Sequence, residues 1–176
     1  WTSLQNQIWK PVICAVNGMC CGGGLHFVAD SDIVIASEHS TFFDTHVKVG
    51  LVAGLEPVGL SRKIPLESVL RMSLIGGGER LGVDQALNIG LISEIIAHEE
   101  LLIRANEIAN MIKVHSPSAL SKTKKAIWHS KETGLTDALN YAWNLISEQN
   151  VHADFKEGTT AFIEKRSPKW KPYSDN

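Results

Sequence analysis

Three consecutive glycines, Gly22-Gly23-Gly24, stand between two apolar runs, and no other feature constrains the fold of this chain as much. The first run, residues 12–16, follows Pro11 and stops at Asn17-Gly18, which predicts a buried strand ended by a turn. Residues 25–29 predict a short helix, and 32–36 a second apolar strand. Strand, glycine turn, helix, strand is an α/β rhythm. The start of a helix exposes unpaired N–H groups and the positive end of its dipole. Without Cβ atoms, a ligand can approach those N–H groups closely. Such a turn suits an anion or a developing oxyanion. Its spacing matches neither GxGxxG nor GxxxxGK[ST], so it is neither a dinucleotide fingerprint nor a P-loop. By composition alone it reads equally as a tight packing turn.

Residues 41–60 are interrupted by Gly50, Gly54 and Gly59, which predicts a loop leading into a short helix. Pro65 is expected as the first residue of a helix through Leu74, broken by Gly76-Gly77-Gly78. A helix over 83–88 should stop at Gly90 and be followed by a strand over 91–96. From Ala97 the pattern turns helical, with Leu101, Ala105, Ile108, Ala109 and Ile112 at helical spacing. Ser116-Pro117 breaks this helix and marks the expected boundary between a core, 1–115, and a helical region, 116–176. Three helices are expected beyond it, about 119–129, 135–148 and 152–165. In the second, Leu135, Ala138, Leu139, Ala142, Trp143 and Ile146 make one wide apolar face.

The apolar content, 44%, supports a sizeable core, and the net charge of −2 offers no footprint for nucleic acid. No apolar run is long enough to cross a bilayer, so no membrane partner is expected. Cys14, Cys20 and Cys21 form no CxxC, which argues for buried thiols in a reducing compartment rather than a disulfide scaffold or zinc site.

Lys10-Pro11-Val12-Ile13, Ala15-Val16-Asn17-Gly18, Gly22-Gly23-Gly24 and Ala29-x-x-Asp32 resemble, in order and spacing, the central motif of the enoyl-CoA hydratase (crotonase) family. The likeness runs on to Phe162-Ile163-Glu164-Lys165-Arg166. It implies a crotonase-like spiral of ββα units followed by a helical trimerisation region, with trimers or hexamers as the assembly. It implies an acyl-CoA thioester as substrate, coenzyme A being part of that substrate, and no separate cofactor. It makes the Gly23 N–H one of two oxyanion donors. The second donor would precede the first motif, so the chain looks like the C-terminal portion of a family member. A cytoplasmic location is expected, or the mitochondrial matrix in a eukaryote.

Family hydratases carry two glutamates that hold the water and move the proton. The matching positions here are His26 and His46. Imidazole is a competent acid and base near neutral pH, and the two rings are expected to act as a coupled pair. Hydration of a 2-enoyl-CoA is the expected reaction. Isomerase, thioesterase or carbon–carbon bond-cleaving chemistry, or a non-catalytic acyl-CoA-binding subunit, stay open because both glutamates are replaced. Asp44, two residues before His46, would share its face on an extended backbone. Glu56 follows Gly54 at a position near which relatives keep catalytic acids. Asp44 and Glu56 are nonetheless each expected as solvated surface carboxylates. His39, His98, His115, His129 and His152 sit among polar neighbours, and no ligand spacing such as HExxH occurs, so no catalytic metal is expected.

Phe162 and Lys165, three apart, are expected on one helix face. An aromatic ring and a cation presented together suit adenine and phosphate, and the resemblance has them reach the CoA of a neighbouring subunit. Gly22 and Gly54 complete the implied substrate-binding set.

Overall fold

The computed structural model describes residues 2–174, which form two compact units, one of residues 2–8 and 12–109 and one of 9–11 and 110–174.

The first unit winds between two small sheets. Strand β1 (Ile13–Val16) belongs to one, and after the corner at Asn17-Gly18 strand β2 (Met19–Cys21) belongs to the other. Helix α1 (Leu25–Asp30) returns the chain to β3 (Ile33–Ser37) beside β1, and a second corner leads to β4 (Thr41–Phe43) beside β2. Both pairings are parallel, with Ile13 opposite Ile33 and Met19 opposite Thr41. The corners stack: Ser40 Oγ of the second donates to the Val16 carbonyl of the first at 2.8 Å. Each turn thus adds one strand to each sheet, a ββα spiral. Helices α2 (Leu55–Leu60) and α3 (Leu66–Ile75), the short β5 (Leu81–Gly82), α4 (Val83–Asn88) and β6 (Glu94–Ile96, parallel to β3) complete the unit.

The apolar runs form its core, with Leu25, Val28, Ala36 and Phe42 fully enclosed. Asp32 closes the entry to β1, its Oδ2 accepting the Val12 N–H at 2.7 Å. Gly90, at φ 77°, ends α4 as expected: the Leu91 N–H reaches back to the Ala86 carbonyl at 2.8 Å. That closure makes the strand expected over 91–96 shorter, because Leu91 and Ile92 are buried in the core rather than paired. Pro65 precedes α3 at its N-cap instead of opening it. The three-residue strands β2 and β4 were not foreseen, since runs so short carry no measurable alternation.

Helix α5 (Leu101–Lys113) leads into the second unit, which holds α6 (Pro117–His129), α7 (Leu135–Asn150) and α8 (Ala153–Ile163). Ser116 caps α6, its Oγ accepting the Ala119 N–H at 3.2 Å, with Pro117 in the first turn. On α7 the foreseen face is largely outward: Leu135, Leu139, Trp143 and Ile146 are exposed, while Ala138 and Leu145 are buried. No helix among the described residues is long and apolar enough to cross a membrane.

After α8 the chain folds back along it as a strap. Arg166 forks onto Glu157 at 2.6 and 3.0 Å, and the Lys169 N–H donates to the same carboxylate at 2.7 Å. Trp170 donates to the Val114 carbonyl at 2.7 Å and leaves no room at Gly158, where a Cβ would lie 3.0 Å from its ring. The Arg166 hydrogen bonds, helped by the Lys169 N–H, pull the Glu157 carboxyl down to about 2 from an ordinary 4.5. Because the folded value lies below the unfolded one, this stabilisation is complete above about pH 4.5 and is lost as pH falls through about 2. An acid titration should therefore move the Lys169 amide resonance with a midpoint near 2. A midpoint at the ordinary carboxylate value would show that the fork does not hold in solution.

Candidate active site

The glycine triplet forms a single 3-10 turn between β2 and α1. Gly22 takes a left-handed φ of 49°, which favours glycine, and a Cβ there would only touch His46 Cε1, at 3.6 Å. Gly23 is different. Its backbone is not left-handed, it is exposed, and a Cβ would meet nothing within 4 Å. Neither conformation nor packing demands glycine at 23. Its N–H lies in the first turn, where a helix supplies no acceptor.

His26 sits in the first turn of α1, directly after the glycines. It faces α2, which packs closely because Gly59 presents no Cβ to Ala29; one would lie 3.0 Å away. Positions 26 and 29 share a face of α1, as 56 and 59 do on α2, so the same approach brings His26 Nε2 to 3.1 Å from Glu56 Oε1. The Glu56 side chain is only 8% exposed and that of His26 19%.

His46 follows β4 and turns back on Asp44. Its ring Nδ1 lies 3.0 and 3.1 Å from the two Asp44 oxygens, and its backbone N–H donates to Oδ1 at 2.7 Å. Asp44 is fully buried. The loop carrying both is backed by Gly76 and Gly77, at φ 64° and 84°; Cβ atoms there would strike Val47 Cγ2 at 2.9 Å and Thr45 Cγ2 at 3.1 Å.

These contacts correct two expectations. Asp44 and Glu56 are not solvated surface carboxylates but buried partners of His46 and His26, enclosed by packing between segments far apart in sequence. Each imidazole has its own carboxylate. The spacing Asp44-x-His46 was the available signal for one pair. Nothing local signalled the other, because 30 residues separate His26 from Glu56.

A third correction concerns Phe162 and Lys165. Helix α8 ends at Ile163, so the two do not share a helix face. Lys165 takes the left-handed position, φ 53°, of a Schellman closure in which the Arg166 N–H donates to the Ala161 carbonyl at 3.0 Å. Gly90 fills this position on α4; here a lysine holds it. Phe162 is 86% exposed. Gly54 is the N-cap of α2, in the chain segment just before Glu56.

The three thiols are free, and burial pushes Cys20 up to about 12 and Cys14 upward as well. Neither is poised as a nucleophile.

A ββα spiral whose second strand runs into a glycine turn ahead of the next helix is the arrangement of the crotonase class of folds. The family model for enoyl-CoA hydratase/isomerase matches residues 1–173, and the chain belongs to that family. Mevalonyl-coenzyme A hydratase sidH of Aspergillus fumigatus is 36% identical, over 93% of this chain and 61% of its own length. The (E)-benzylidenesuccinyl-CoA hydratase of Thauera aromatica is 34% identical over 94% of this chain and 64% of its own. Among solved structures, an enoyl-CoA hydratase/isomerase from Mycobacterium paratuberculosis superposes with a TM-score of 0.89 at 46% identity, covering 93% of this chain and 64% of that one. The chain thus spans a little over three fifths of the length of these relatives.

Proposed function

We propose that the protein hydrates a 2-enoyl-CoA thioester, with Gly23 as oxyanion donor and His26 and His46 as the acid–base pair. The observation that carries this reading is Gly23 itself: a glycine that neither φ nor packing requires, in open space, with His46 against the neighbouring Gly22 and His26 in the helix that follows. A thioester oxygen can approach its N–H because no Cβ intervenes. As water adds to the β-carbon, the electron pair of the double bond moves toward that oxygen, and a donor aimed there lowers the barrier. Family membership and the hydratase names of the relatives support the substrate class.

Phe162 and Lys165 are assigned to the CoA moiety bound by a neighbouring subunit, and Gly22 and Gly54 to substrate binding beside Gly23. The exposed apolar face of α7 supports self-association as trimers or hexamers. Three free thiols fit a reducing compartment, the cytoplasm or a mitochondrial matrix. Loss of the conjugated thioester's ultraviolet absorbance on incubating crotonyl-CoA with the full-length protein tests the activity; binding without turnover would overturn it.

Lys165 offers a test that separates binding from folding. A non-glycine residue in the left-handed region costs about 1 kcal/mol, so Lys165→Gly should raise stability by about that amount. The same change removes a cation from the CoA site and should weaken binding of a CoA ester at low salt. Unchanged affinity would take Lys165 out of the site, and an unchanged melting temperature would show that the backbone is not strained.

A further inference from the structure

We propose that Asp44 is a positioning residue that fixes the tautomer of His46, so that the ring's Nε2 receives the proton of the attacking water. The proposal rests on the hydratase reading above and says how one imidazole performs the work of a carboxylate.

A carboxylate only accepts hydrogen bonds, and both Asp44 oxygens bracket Nδ1 at 3.0 and 3.1 Å. The proton of the neutral ring therefore sits on Nδ1, and Nε2 carries the lone pair. Asp44 cannot swing away to solvent: it is fully buried, and Oδ1 also holds the His46 backbone N–H at 2.7 Å. The loop that carries both residues packs on Gly76 and Gly77, where Cβ atoms would strike Val47 and Thr45, and the ring lies beside the glycine turn, with Cε1, the ring carbon bonded to Nε2, 3.6 Å from where a Gly22 Cβ would stand. The His46 side chain keeps 24% of its surface open, while Asp44 keeps none. A buried, immobile carboxylate behind a partly open imidazole beside an oxyanion donor is the arrangement of a general base with its orienting partner.

The step balances as follows. Nε2 of His46 takes one proton from water as the water oxygen bonds to the β-carbon. The double bond's electron pair moves through the α-carbon to the thioester oxygen, held by the Gly23 N–H. His26 then delivers a proton to the α-carbon, and the two rings reset by proton exchange with solvent, so that H and OH have been added. The positive charge His46 acquires is offset by the Asp44 carboxylate.

The test uses Asp44→Asn, which conserves size. An amide can turn its NH₂ toward Nδ1, which then accepts and moves the ring proton to Nε2. Long-range proton–nitrogen correlation spectra of the full-length protein labelled with ¹⁵N-histidine, at a pH where the ring is neutral, should show His46 with Nδ1 protonated in the wild type and Nε2 protonated in the variant. The kcat for crotonyl-CoA should fall about 10²–10⁴-fold, the range of a lost general base, with the dissociation constant of a saturated acyl-CoA unchanged. In a His46→Asn background, Asp44→Asn should cost nothing further, because Asp44 acts only through the ring. A wild-type ring protonated on Nε2, or a further loss in the His46→Asn background at unchanged melting temperature, overturns the proposal. If the wild-type protein turns over no enoyl-CoA, the hydratase reading falls, and the tautomer spectra alone decide whether Asp44 fixes the ring.

Discussion

Replacing Gly23 by proline should lower kcat/KM for an enoyl-CoA by about 10²–10³-fold, the 3–4 kcal/mol that one oxyanion donor contributes to the barrier. Proline fits the first turn of a helix, where its missing N–H has no intrahelical acceptor to lose. The substitution therefore removes the donor with little expected change in the local fold, which circular dichroism and a melting curve would check. Gly23→Ala is the companion variant. It keeps the N–H, and its Cβ meets nothing within 4 Å in the protein, so stability should be unchanged. Activity should still fall, because that Cβ stands where the thioester must approach. Two wild-type-like variants would show that the glycine turn binds no substrate.

The second large effect is expected at the histidines. Alanine at 26 would leave the buried Glu56 without its imidazole, and alanine at 46 would leave the buried Asp44 with only the backbone N–H of residue 46, each at a cost of about 1–3 kcal/mol. Amides avoid this. His46→Asn puts an N–H near the place of Nδ1, and His26→Gln puts one near the place of Nε2, so each carboxylate keeps a donor while the titrating ring is gone. Each variant should fold and lose about 10²–10⁴-fold in kcat. The double variant should lose little more than the worse single one, since the two rings serve one addition. If both amide variants turn over like wild type while Gly23→Pro is dead, the oxyanion donor stands and the acid–base role passes from the imidazoles to the buried carboxylates, Glu56 first.

Chain-local features were legible from residues alone. The apolar run before Asn17-Gly18, the glycine triplet, the stop at Gly90 and the break at Ser116-Pro117 depend on φ freedom, caps and periodicity, which a few adjacent residues determine. Their order and spacing also sufficed to suggest the family. What tertiary structure decided is the environment of each charged side chain. Glu56 looked like a surface acid until Gly59 let α2 settle against α1, and Asp44 until Gly76 and Gly77 closed over its loop. Lys165 looked helical until the strap anchored by Arg166 and Trp170 ended the helix at Ile163, two residues earlier. Whether α7 turns Leu139 or Leu145 inward depends on what α6 presents to it, which periodicity along α7 cannot report. Burial of a carboxylate or an apolar face is a property of the segments that meet there, and those segments lie tens of residues apart; conformational preference is a property of a residue and its neighbours, and so it is already written in their order.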